Sequence, residues 1–195
     1  MATRSSSFRI VVLAASAGGL TALGKVLAQL PAEFALPIAI VQHIDPNRDS
    51  LLAEILGRRT ALSVKQAAAR DVLLPGTVYV APPGAHLIVA AGGSLQLAQT
   101  ELVHFSRLSA DRLFESAARA FGPAIAVILT GTGTDGAAGA AAVRAGGGVV
   151  IAQDEATSAF FGMPHAAIEA GAVDYVVPLD EIAPTVIRLA GSDTR

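Results

Sequence analysis

A serine, a histidine and a carboxylate gathered in one crevice perform nucleophilic acyl transfer, and Ser16, His43 and Asp135 are candidates for that set. A serine hydroxyl is a weak nucleophile unaided. An imidazole that removes its proton activates it, and a carboxylate behind the imidazole fixes the tautomer and stabilises the imidazolium. Each of the three residues follows an apolar run. Ser16 lies in Ala14-Ala15-Ser16-Ala17-Gly18-Gly19 after residues 8–13. His43 ends the run 37–42. Asp135 lies in Thr130-Gly131-Thr132-Gly133-Thr134-Asp135-Gly136 after residues 124–129. If these runs are neighbouring strands, the three side chains converge at one edge of a sheet. Right-handed crossovers set the second strand beside the first, and a reversal of winding sets a later strand on the first one's other side. In open α/β sheets chemistry collects at that switch point, at the carboxyl ends of the strands.

Each residue also has a simpler role. Ser16 precedes a segment with leucines at 20, 23, 27 and 30, and serine is a favoured helix N-cap; taken alone, the cap is the commoner role. His43 can be a half-buried histidine bonded to backbone. Asp135 can cap the alanine-rich helix that follows it. His86 and His104, in hairpin or loop context, read as surface residues, and His165 reads as structural, in the first turn of a helix.

The elements that must position these groups alternate along the chain. Apolar runs at 8–13, 37–42, 62–67, 77–81, 124–129, 149–152 and 174–178 read as strands. Amphipathic segments lie between them: one after Gly19, one over 51–59 capped by Asp49 or Ser50, one from the Ser109 cap to about Phe121, one after Gly136, one opening at Met163-Pro164, and one capped by Asp180. Gly92-Gly93 between 86–90 and 95–97 is a hairpin signal. The pattern predicts an α/β fold: a mostly parallel sheet covered by helices, with an antiparallel hairpin at one edge. Residues 1–7 and 191–195 are expected to be tails around one domain over 8–190.

Composition narrows the function classes. Of 195 residues, 52% are hydrophobic and 15% charged, enough for a sizeable core. A net charge of −2 provides no basic field, which argues against nucleic-acid binding. The absence of cysteine excludes thiol catalysis, disulfides and zinc–thiolate sites. No apolar run approaches the roughly 18 residues of a membrane span. Abundant alanine and glycine predict helices packed closely on the sheet. No cofactor or metal site is expected.

A rival motif overlaps the candidate site. Gly131, Gly133 and Gly136 form a literal GxGxxG, with Asp154 and Glu155 about 20 residues on, where a dinucleotide fold places its ribose-binding acid. Against it, Asp135 puts a carboxylate inside the loop that would cradle pyrophosphate, and the reading leaves Ser16 and His43 unexplained.

The chain resembles the catalytic domain of CheB-type chemotaxis protein-glutamate methylesterases. The resemblance rests on Ala15-Ser16-Ala17-Gly18-Gly19, Val41-Gln42-His43, Pro75 to Pro82, Leu113 to Ala118, Ile128 to Gly136, Ala152 to Ser158 and Gly162-Met163-Pro164. It implies a doubly wound, three-layer α/β/α fold. Nucleophile, base and orienting acid then fall on Ser16, His43 and Asp135, and the oxyanion site lies near Thr132, with Ala17, Gly18 and Gly133 lining it. The implied substrate is a glutamyl methyl ester on the cytoplasmic helices of a chemoreceptor, hydrolysed to glutamate and methanol; some members also deamidate receptor glutamine. The implied location is cytoplasmic. Two departures stand out: Ala17 replaces a common threonine, and Thr132 replaces a common methionine. The family's usual N-terminal receiver domain is not in this sequence. The expectation is therefore a site that is constitutively open, or controlled by a separate receiver protein or kinase, in a chemosensory pathway. A receptor-binding regulatory module without turnover is the alternative that Ala17 and the missing receiver motivate.

Overall fold

The computed structural model describes residues 8–44, 50–99 and 108–191. In chain order its elements are β1 (Val11–Ala15), α1 (Gly19–Ala28), β2 (Ile38–Gln42), α2 (Leu52–Gly57), β3 (Ser63–Gln66), β4 (Thr77–Val80), β5 (His86–Ala90), β6 (Ser94–Ala98), α3 (Ala110–Phe121), β7 (Ile125–Ile128), α4 (Ala137–Ala145), β8 (Val149–Gln153), α5 (Gly162–Glu169), β9 (Tyr175–Val177) and α6 (Leu179–Gly191). Seven strands form one sheet in the order β3-β4-β2-β1-β7-β8-β9, with every pairing parallel. The chain winds from β1 out to β2 on one side and returns to β7 on the other, so β1 marks the switch point.

The central strands are buried on both faces, and their alternation sorts side chains into two cores. Val11, Leu13, Ile38, Ile40, Ile125 and Val127 face α1, α2 and α6. Val12, Ala14, Ala39, Ala126 and Ile128 face α3, α4 and α5. Small residues dominate the second face, and the helices there approach closely, as the composition predicts. At Gly139 of α4 a Cβ would lie only 2.7 Å from Phe114 Cβ of α3. The fold is the expected three-layer α/β/α arrangement.

Several details differ from the expectations. The β5–β6 hairpin forms with the predicted glycines at positive φ, but as a separate antiparallel sheet packed on α3, not as a continuation of the large sheet. That position buries His86 completely, where a surface residue was expected. β1 begins at Val11, not Phe8, and runs on through Ala14 and Ala15. Its neighbour sets the start: Val11 N–H donates to Pro37 O, and Pro37 has no N–H to extend the ladder backwards. Asp180 lies inside the first turn of α6, which starts at Leu179, so it is not the cap. Ser109 caps α3 as predicted, its Oγ accepting from Arg112 N at 3.4 Å, and Ser50 Oγ accepts from Leu52 N at the start of α2. Asp49, His104 and the tails 1–7 and 192–195 lie outside the described residues; Gly191 closes α6. No helix among the described residues is long and apolar enough to cross a membrane.

Candidate active site

Ser16, His43 and Asp135 follow β1, β2 and β7, three adjacent strands. The ladders continue past the strand ends and fix the backbone of the first two. Ser16 N–H donates to Thr130 O at 3.0 Å, and His43 N–H donates to Ala15 O at 3.0 Å. Ser16 is not a side-chain cap. Gly18, in the left-handed region at φ 80°, is the N-cap of α1, and the Ser16 carbonyl, not its hydroxyl, accepts Gly19 N–H at 2.9 Å. Among the described residues the Ser16 hydroxyl has no hydrogen-bond partner, and the residue is half-buried.

Asp135 is almost wholly buried, 3% exposed, and four donors converge on it. Oδ1 accepts from Ser109 Oγ at 3.1 Å and from Asp111 N at 3.0 Å. Oδ2 accepts from Ala110 N at 2.7 Å and from His43 Nε2 at 2.7 Å. Burial alone would raise its pKa. The His43 bond and the backbone bonds from Ala110 and Asp111 outweigh that and hold the carboxyl below its ordinary value. An ionised carboxylate is acceptor only, so His43 Nε2 is the donor of this bond and Nδ1 is the ring nitrogen not spent on Asp135. The imidazole itself is 21% exposed. Asp135 does cap a helix, but α3 and not the alanine-rich α4 that follows it. The head of α4 is held instead by Asp111, whose Oδ1 accepts from Gly136 N at 3.0 Å and Gly139 N at 2.7 Å.

Three further polar side chains secure the turn that carries Ser16, and sequence reasoning assigned none of them. Gln42 Nε2 donates to Ser16 O at 2.8 Å and His43 O at 3.0 Å. Thr130 Oγ1 shares its proton between Ala17 O at 2.9 Å and Phe160 O at 3.2 Å, and accepts from Phe160 N at 2.9 Å. Gln153 Oε1 accepts from Thr130 N at 2.9 Å, and its Nε2 donates to Thr157 O at 2.8 Å. The available signal was a glutamine ending each of two apolar strands. Glycines let these parts meet. A Cβ on Gly131 would overlap Met163 Sδ and lie 2.8 Å from Ser16 Cβ, and one on Gly19 would overlap Gln42 Oε1.

Of the expected lining residues, Ala17 and Gly18 lie in the turn after Ser16, and Thr132 and Gly133 are exposed in the β7–α4 loop, Gly133 at φ 85°. Among the described residues no backbone acceptor takes the N–H of Ala17 or Thr132. The dinucleotide reading finds no support, because Asp154 spends its Oδ1 on Thr157 N at 3.0 Å inside its own loop. His165 sits on α5, exposed, facing Phe161 and Glu169 rather than Asp135. Among the described residues no group of His, Asp and Glu has a metal-holding arrangement.

The CheB methylesterase family model matches residues 11–186. A protein-glutamate methylesterase/protein-glutamine glutaminase of Moorella thermoacetica is 42% identical over 191 residues, covering 95% of this chain and 45% of its own length. A Leptospira interrogans relative is 40% identical over 184 residues, covering 94% of this chain and 95% of its own. The CheB methylesterase catalytic domain of Thermotoga maritima matches in structure with a TM-score of 0.89 at 39% identity, covering 93% of this chain and 98% of that one. The chain spans about half the length of the Moorella relative.

Proposed function

The chain belongs to the CheB methylesterase family, and we propose that it is a serine carboxylesterase that hydrolyses glutamyl methyl esters on chemoreceptors. The observation that carries the reading is the 2.7 Å bond from His43 Nε2 to a buried Asp135 whose carboxyl is held below its ordinary value, in the same strand-end cluster as a serine whose hydroxyl has no hydrogen-bond partner among the described residues. Residues 8–190 form the one catalytic domain of this reading.

In the proposed reaction His43 Nδ1 takes the Ser16 proton as Oγ bonds to the ester carbonyl carbon. Asp135 holds the ring and offsets the imidazolium charge. N–H groups of Ala17 and of the Thr132–Gly133 loop receive the oxyanion, next to the head of α1. The tetrahedral intermediate then collapses. Its C–O bond to the methoxy group breaks, and His43 returns the proton so that methanol leaves. A water, deprotonated by His43, attacks the carbonyl carbon of the Ser16 ester; the bond from that carbon to Oγ breaks, Oγ takes the proton back from His43, and glutamate is released. With glutamine in place of the methyl ester, the leaving group is ammonia by the same proton path. The substrate glutamates lie on receptor helices on the cytoplasmic side of the membrane.

Methanol release from methyl-labelled receptor membranes tests this directly. The chain should release methanol, and Ser16→Ala should lower the rate on the order of 10⁶-fold, as loss of a hydrolase nucleophile does. An active Ser16→Ala variant would sink the reading. A wild-type chain that binds receptor and releases no methanol would leave the regulatory-module reading in its place.

A further inference from the structure

We infer that Gln42 is a positioning residue for ester hydrolysis, its carboxamide setting the separation of nucleophile and base by donating to the backbone carbonyls of both. The inference rests on the esterase reading given above. Gln42 is the last residue of β2, in register with Ala15, the last residue of β1. Beyond that pair the two strands part. One ladder bond follows, His43 N–H to Ala15 O at 3.0 Å. The Gln42 side chain then spans the gap, reaching Ser16 O at 2.8 Å and His43 O at 3.0 Å with the two protons of a single nitrogen. A planar NH₂ group fixes the directions of both bonds. The two carbonyls therefore cannot drift apart without breaking one of them.

Two features say that the amide serves geometry more than folding. The Ser16 carbonyl already accepts Gly19 N–H at 2.9 Å, so it has a partner without Gln42. The other end of the amide is a burden: Oε1 is buried and has no hydrogen-bond donor among the described residues. A methionine of similar shape would carry no such orphaned acceptor. Gly19 is bound to the same choice, because a Cβ there would overlap Oε1. The segment Val41-Gln42-His43 thus holds an orienting group as well as the candidate base.

The test compares the parent chain with Gln42→Met and Gln42→Glu, using methanol release from methyl-labelled receptor membranes, labelling of Ser16 by a fluorophosphonate, and Tm. Gln42→Met is expected to lower kcat and the labelling rate about 10²-fold, the scale set by misplacement of about 1 Å. KM and Tm should stay near the parent values. Gln42→Glu can donate only while protonated. Its residual labelling, taken as a ratio to the parent's at the same pH, should therefore fall with rising pH. Gln42→Met with parental kcat and labelling overturns the inference. So does a loss matched by a lower Tm and a raised KM, which is the signature of a purely structural residue. If Gln42→Met does not fold, the pH dependence of the Gln42→Glu to parent ratio decides, and a ratio that stays constant with pH overturns it. A parent chain that releases no methanol refutes the esterase reading instead, and the labelling comparison still stands on its own.

Discussion

Asp111 and Asp135 exchange helices: each carboxylate caps the helix that the other residue heads. Asp135, just ahead of α4, accepts from Ala110 N and Asp111 N at the start of α3. Asp111, in the first turn of α3, accepts from Gly136 N and Gly139 N at the start of α4. Two helix N-termini, each with a partial positive charge, thereby face two buried carboxylates.

The exchange makes Asp111 a stability determinant with a catalytic consequence. Asp111→Ala strands two N–H groups in the protein interior, at a cost of about 2–4 kcal/mol. Asp111→Asn keeps an acceptor oxygen and should lose less. Urea unfolding of both variants checks the order. Methanol release should fall more in Asp111→Ala, because the loop that carries Asp135 loses its anchor.

The depressed pKa of Asp135 predicts the acid limb of stability. A carboxyl whose native pKa lies below its unfolded value stabilises the fold above the unfolded value, about 4, and loses that contribution as pH falls through the native value. Asp135→Asn should flatten the fall in unfolding midpoint across that range. Ser109→Ala removes a donor to Oδ1 and should start the loss at higher pH. Asp135→Asn should also lower kcat about 10⁴-fold, by leaving the imidazole in the wrong tautomer.

Gly131→Ala should separate packing from reactivity. The added methyl meets Met163 Sδ on one side and Ser16 Cβ on the other. Overpacking of this kind costs about 1–3 kcal/mol. Met163→Ala added to it opens one side only. The double variant should regain stability in thermal melts while kcat stays low, because the pressure on Ser16 remains.

Thr130→Val tests the other anchor of the turn that carries Ser16. It keeps the shape and removes the bonds to Ala17 O and Phe160 N. A loss of about 1–2 kcal/mol is expected. Amide hydrogen exchange should quicken at Phe160 and leave β1 unchanged.

The sheet was legible because its strands are apolar runs between turn residues, and Ser16, His43 and Asp135 stood out as polar groups at the ends of such runs. Tertiary context decided what local pattern could not. Ala14 and Ala15 read as turn residues, yet they are strand because β2 and β7 flank them. The hairpin was visible at Gly92-Gly93, but not the helix it rests on, and so His86 was misjudged. Asp135 looked like a cap for α4 because sequence shows the next helix, not the neighbouring one. Gln42 and Gln153 were passed over because an amide carries no charge to mark it. Their roles arise from carbonyls that only the folded strand ends bring within reach.

The central place of β1 in the sheet also has a consequence for synthesis. Ser16 leaves the ribosome well before the segments that complete its surroundings: the loop after β7 supplies Thr130 and Asp135, and β8 supplies Gln153. A nascent chain halted before β8 holds Ser16 in an unfinished sheet with an open hydrogen-bonding edge. A Ser16 turn in its native geometry therefore reports that the later half of this segment has been made and has closed against the first.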